Sequence, residues 1–280
     1  MKWSPGGRSG NLEDRRGMGG LGRGMGIGGG LLMLVLSLIF GPGIVSDVTN
    51  DGTGQPTTAN GEVASSPEEE RLADFVSFVL DDVQQTWTQL LSDRRVPYRD
   101  AKLVLFRDMT QSGCGTAQST MGPFYCPLDE KVYVDLGFYD ELRRRFGAPG
   151  DFAQAYVIAH ELGHHVQHLL GIDQQTRRAQ QANPDMANTL SVRLELQADC
   201  YAGVWGASAA KRDKLDPGDV DEGLNAAAAV GDDRLQRQAT GRVNTESFTH
   251  GSAEQRAAWF RRGFSGGSPE QCDTFGDRGP

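Results

Sequence analysis

The stretch Ala159-His160-Glu161-Leu162-Gly163-His164-His165-Val166-Gln167-His168-Leu169-Leu170 decides how the rest of the chain is read. It opens with the pattern HExxH. Residues four apart on an α-helix stand one turn above each other, so His160 and His164 present their imidazoles on one face and can share a divalent ion. Glu161 follows the first histidine and faces the open position, where a carboxylate can take a proton from water. The flanks suit a helix. Asp151 is the expected N-cap, Phe152, Ala155, Tyr156, Ile158 and Ala159 supply a buried face, and Gly171 is the expected stop. The bland alternative is two histidines on a solvated face by coincidence. With only five His in the chain, chance seldom produces the pattern.

A catalytic zinc site ordinarily takes three protein ligands and leaves one position open. The metzincin arrangement requires a histidine six residues after His164, where this chain has Leu170, and a glycine where it has Gln167. That class is excluded. His168 continues the four-residue ladder, but an ideal helix turns about 80° between positions 160 and 168. It and His165 therefore read as surface or packing histidines. Glu195, in Leu194-Glu195-Leu196-Gln197-Ala198-Asp199-Cys200, is the expected third ligand. Asp199 lies one turn on, placed to accept the outer N–H of a ligand imidazole. Both carboxylates sit among apolar neighbours (Leu190, Val192, Leu196, Ala198), where an acidic group needs a positive partner. A further cluster, Thr249-His250-Gly251-Ser252-Ala253-Glu254-Gln255-Arg256, places His250 in a loop just before a helix that Ser252 caps. A histidine so placed suits donation to the oxyanion of a tetrahedral intermediate. Arg256 is placed to orient that loop or to hold a carboxylate, and ordinary capping and surface roles are the alternative for both.

Composition narrows the class. The chain has 280 residues and a net charge of −9, and no basic stripe studded with aromatics, so nucleic acid is not an expected partner. Four cysteines show no CxxC spacing, which argues against a thiolate zinc ribbon. In an exported domain an even count suggests disulfides. Cys114 and Cys126 bracket one loop and form the natural pair, which leaves Cys200 with Cys272; buried free thiols are the alternative.

Residues 1–23 are glycine-rich and basic, and read as a cytoplasmic tail. Gly24–Val45 carries no charge, and at about 1.5 Å per residue it reaches roughly 33 Å, enough for a hydrocarbon core of about 30 Å. A single uncleaved transmembrane helix is expected there, with a signal-peptide core as the rival. The basic excess before it puts the N-terminus in the cytoplasm and the remainder outside the cell membrane. Residues 46–67 read as a flexible polar linker, and 68–280 as the folded extracytoplasmic domain. Within that domain an amphipathic helix is expected over 68–92 and strands at 103–106 and 131–135. A short solvated basic helix follows at 138–146, then a surface excursion over 173–188. Later helices are expected at about 189–210, 217–238 and 252–262.

These motifs together resemble the neutral zinc metallopeptidase family of bacterial membrane proteins (YpfJ-type). The resemblance runs from Met1-Lys2-Trp3 and Glu13-Asp14-Arg15-Arg16-Gly17 through Gly122-Pro123-Phe124-Tyr125-Cys126-Pro127. It then takes in the HExxH stretch, Glu195 to Gly203, and Thr249 to Arg256. More distantly the chain is similar to the CaaX prenyl protease and HtpX gluzincins. That similarity implies a mainly helical α+β fold with a metal helix beside a second ligand helix and a small sheet above. It also implies that Val132–Asp135 is the edge strand that pairs with an extended peptide, and that His250 leans toward the oxyanion. The expected activity is a Zn2+-dependent peptidase acting on peptide or protein, with Glu161 as general base. The rivals are an anchored binding or assembly module with structural or vestigial zinc, and a zinc amidase acting on the cell wall.

Overall fold

The computed structural model describes residues 1–18 and 65–276. Helix α1, Pro67–Ser92, starts where Ser66 caps it: the Ser66 hydroxyl accepts from the Glu69 N–H while the Glu69 carboxylate accepts from the Ser66 N–H. This reciprocal pairing satisfies two N–H groups that a helix end otherwise leaves bare. The apolar stripe Phe75, Val76, Val79, Leu80, Val83 and Trp87 is buried, and it packs on helix α3, Asp151–Leu169.

Strand β1 (Leu12–Asp14) precedes α1 in the chain; strand β2 (Lys102–Phe106) follows it, and then a hairpin of β3 (Met109–Ser112) and β4 (Gly115–Gln118). Strands β5 (Phe124–Cys126) and β6 (Lys131–Asp135) complete the set. One sheet has the order β1-β2-β6-β5, parallel except for the antiparallel β5–β6 pair. The expected edge strand is therefore corrected in part. In β6, Val132 and Tyr133 have a neighbour on each side, whereas Val134 and Asp135 pair with β2 alone; β5 is the edge strand on that side and β1 on the other.

The N-terminal segment is the second correction. Residues 1–18 were expected to be part of a tail divided from the domain by a membrane. Instead β1 pairs with β2 in register Leu12–Leu103 to Asp14–Leu105, and Trp3 packs edge-on against Phe75. Arg16 is buried, donating to Asp14 and Glu70. The Met1 amino group sits 2.6 Å from Asp151 at the start of α3. Segments that share a sheet lie on the same side of any bilayer, because a backbone ladder cannot be formed across one. The expected transmembrane segment 24–45 and most of the linker 46–67 lie outside the described residues. Among the described residues no helix is long and apolar enough to cross a membrane.

The remaining helices are α2 (Gly137–Arg144), α4 (Ile172–Ala182), α5 (Ala187–Lys211), α6 (Asp219–Ala229), α7 (Asp232–Thr240) and α8 (Ala253–Gly266). The expected solvated helix, α2, buries Tyr139 and Leu142 on one face. The expected excursion at 173–188 is mostly the regular helix α4. The single helix expected over 217–238 breaks into α6 and α7 at Val230–Gly231, where a Cβ on Gly231 would meet the Ala253 nitrogen at 2.3 Å. Helices α5 and α8 approach so closely that a Cβ on Gly263 would lie 1.9 Å from the Cys200 carbonyl oxygen. Disulfides Cys114–Cys126 and Cys200–Cys272 tie the β3–β4 turn to β5 and the C-terminal segment to α5. The result is a mainly helical α+β fold with a small sheet.

Candidate metal centre

Helices α3 and α5 bring His160, His164 and Glu195 together, their ligand-type atoms lying within 4.8 Å of one another. The crossing needs a residue without a side chain. A Cβ on Gly163 would stand 3.1 Å from the Ala198 carbonyl oxygen, so a larger residue would push the helices apart. Glu195 Oε2 lies 3.2 Å from His160 Nε2, and Glu195 Oε1 lies 3.5 Å from His164 Nε2. Ligand atoms around a tetrahedral zinc with bonds of about 2.0–2.1 Å stand roughly 3.3–3.4 Å apart. The donor set and its spacing therefore fit Zn2+.

The far side of each imidazole is engaged. His160 Nδ1 lies 2.8 Å from Asp199 Oδ1; an ionised carboxylate only accepts, so Nδ1 carries the proton and Nε2 faces Glu195. Asp199 is fully buried and also accepts from the Tyr156 hydroxyl, from Arg256 Nε at 2.8 Å and from Arg256 Nη2 at 3.0 Å. Burial by itself raises the Asp199 carboxyl, but Arg256 and His160 outweigh it and hold it below its ordinary value. Burial likewise disfavours a charged His160, yet the Asp199 and Glu195 carboxylates push its pKa up to about 10. His164 Nδ1 lies 2.8 Å from Gln167 Oε1.

Glu161 lines the cleft beside these ligands, and burial pushes its carboxyl above the ordinary range. The cleft, about 510 Å³, is walled by Phe124, Tyr125, Phe138, Phe146 and Val157, with Thr176 and Gln180 of α4 at its rim. His250 faces the same cleft. Its loop is gathered around Asp232 Oδ2, which accepts from the N–H groups of Thr249, His250 and Gly251 at 2.7, 2.7 and 3.0 Å. Asp232 Oδ1 is 3.2 Å from His250 Nδ1. Burial opposes the charged imidazole, but Glu195 and Asp232 raise its pKa.

His165 is buried rather than exposed. Its Nε2–H donates to the Arg99 carbonyl at 2.7 Å, so Nδ1 accepts from the Tyr125 hydroxyl at 2.9 Å. This bond ties the metal helix to edge strand β5. His168 turns away from the centre and pairs with Asp173 at 2.9 Å. Four residues of this environment were not singled out from the sequence. Gln167, Tyr125 and Gln197 carry a signal, the first lying three residues after His164 on one helix, the second within the Gly122–Pro127 motif, the third between Glu195 and Asp199. Asp232 carries none, since its role arises from packing between distant segments.

Among the described residues one other group, Asp151, Asp219 and Glu222, brings ligand-type atoms this close. The Met1 ammonium lies 2.6 Å from Asp151 and 3.4 Å from Asp219, so that cluster already holds a cation.

A search of solved structures finds no match. The chain is 51% identical to the uncharacterized protein YpfJ of Escherichia coli over 285 residues, 99% of each chain. It is 48% identical to the uncharacterized protein Rv2575 of Mycobacterium tuberculosis over 204 residues, 69% of this chain and 67% of that one. The family model described as "Putative neutral zinc metallopeptidase" matches residues 1–275, a span that includes the folded N-terminal segment, both helices of the HExxH centre and the His250 loop. The chain therefore belongs to the neutral zinc metallopeptidase family.

Proposed function

We propose that the protein is a zinc-dependent endopeptidase, with His160, His164 and Glu195 holding the ion. The observation that carries this reading is the convergence of the three ligand atoms beside Glu161 on the wall of an open cleft. When bound, zinc supplies a Lewis acid that acidifies water and polarises the scissile carbonyl. Glu161, its carboxyl raised by burial, takes the water's proton and passes it to the leaving amine. His250, held by Asp232, donates to the oxyanion. Asp199 keeps the proton of His160 on Nδ1, and Arg256 offsets the charge of Asp199. An extended peptide is proposed to align along β5, whose free edge borders the cleft, with an apolar side chain against Phe138 and Phe146. The packing of a metal helix beside a ligand helix under a small sheet agrees with a gluzincin-like arrangement.

Two disulfides favour an oxidising, extracytoplasmic setting. Residues 1–18 are proposed to lie on the same side of any membrane as the peptidase domain, since β1 and β2 share a sheet.

The test is Glu161→Gln. The variant should bind zinc stoichiometrically and lose roughly 10²–10⁴-fold in turnover of a quenched peptide mixture. Wild type should lose the same activity to a chelator and regain it with added zinc. A Glu161→Gln enzyme with ordinary turnover would remove the assigned base.

A further inference from the structure

Behind His164 runs a line of buried amides that reaches the C-terminal segment. Gln197 Nε2 donates to the Cys272 carbonyl at 2.9 Å. Gln167 Nε2 donates to Gln197 Oε1 at 3.1 Å and to the Leu194 carbonyl at 2.7 Å. Gln167 Oε1 then faces His164 Nδ1 at 2.8 Å. Gln167 is fully buried, Gln197 is 5% exposed and Cys272 is 1% exposed, so water does not compete for these groups.

The polarity of this line is not free. A side-chain amide has a donor end and an acceptor end, and the assignment of one end fixes the other. The Cys272 and Leu194 carbonyls can only accept, so both NH2 groups must point at them. Gln167 therefore offers oxygen, and only oxygen, to the imidazole. An oxygen there keeps a proton on Nδ1. On the opposite side of the ring, Glu195 Oε1 stands 3.5 Å from Nε2 and attracts a proton to the nitrogen that must face the metal. Nδ1 and Nε2 of a neutral imidazole cannot both be protonated, so Gln167 and Glu195 compete for the tautomer.

We propose that Gln167 is the positioning residue for His164, selecting the Nδ1–H tautomer and leaving the Nε2 lone pair for the metal. Its own orientation is set by the Leu194 carbonyl and, through Gln197, by the Cys272 carbonyl. The two ligand histidines are thus served by different chemistry, an ionised carboxylate behind His160 and a neutral amide behind His164. A neutral partner avoids adding a buried negative charge to those of Glu195 and Asp199. The Cys200–Cys272 disulfide holds the carbonyl at the far end of the line, so the C-terminal segment belongs to the support of the metal centre.

This inference rests on the proposal that His164 ligates zinc, and the test separates the two. In the metal-free full-length protein at alkaline pH, ¹⁵N NMR reports the tautomer of His164, assigned by loss of its signals in His164→Asn. The wild type should show Nδ1–H. Gln167→Met, similar in shape and without the amide oxygen, should shift the signal toward Nε2–H and weaken zinc binding about 10–100-fold in chelator competition. Gln167→Glu keeps an oxygen facing Nδ1, and at alkaline pH that carboxylate only accepts, so it should retain the tautomer. A wild-type His164 in the Nε2–H form would overturn the inference without any variant, as would a Gln167→Met protein with unchanged tautomer and zinc affinity. Nδ1–H in a protein that takes up no zinc would instead leave the relay standing and remove the metal reading.

Discussion

His250 stands in the cleft because Asp232, on a different helix, accepts from three consecutive backbone N–H groups of its loop. Its proposed work is confined to the developing oxyanion, so removing it should leave the metal site intact. His250→Phe should retain zinc and near-normal KM while kcat falls about 10²–10³-fold, the scale for loss of one oxyanion donor. Steady-state kinetics together with metal content checks this; a fall in zinc content or a change confined to KM would assign His250 elsewhere. At this scale HExxH declared its own geometry, since its two histidines and glutamate act through a fixed helical spacing. Glu195 and Asp199 were legible for a related reason: carboxylates in an apolar helix require partners, and the chain offered few. Asp232 was not legible, because nothing in its local sequence says which loop folds over it.

Strand β1 is held to the sheet by charge as well as by its ladder. Glu13 lies 2.8 Å from Lys131 Nζ and 2.6 Å from Arg15. Burial opposes its ionisation, yet the two cations hold its pKa down from an ordinary 4.5 to about 2. A depressed carboxyl stabilises the fold fully above its unfolded pKa, and that contribution disappears as pH falls through the folded value. The grip of β1 should therefore weaken between about pH 4.5 and 2, and hydrogen exchange of β1 amides over that range measures it. Glu13→Gln should flatten the dependence; an unchanged profile would show that the ion pairs contribute nothing. Most element positions were legible from period and caps, as at Ser252 for α8 and Gly171 after α3. The divided helix at Val230–Gly231 was not, because the break is imposed by the close approach of Ala253. Nor was the order of strands, since Val132–Asp135 alternates in the same way at an edge or in the interior.

For the molecule as a whole, the shared sheet sets sidedness. Residues 1–18 and the peptidase domain should be reached by the same reagents. All described cysteines are in disulfides, so single cysteines placed by Ser4→Cys and by Asp185→Cys give clean reports. Both should react alike with a membrane-impermeant maleimide in intact cells. Labelling of position 185 with protection of position 4 would restore the cytoplasmic tail that the charge pattern favoured. Glycine-rich composition and basic excess describe a segment in isolation, whereas Arg8, Arg15 and Arg16 each find a carboxylate within the fold. By itself the sequence determined the helix that carries His160 and His164, the residue types that converge there with Glu195, and the small-sheet, mainly helical class, because these follow from local periodicity and from the chemistry of a few side chains. Only the tertiary structure decided which strand is the edge, where residues 1–18 lie, and which buried amide stands behind His164. Those depend on contacts between segments far apart in the chain, and local pattern carries no record of them.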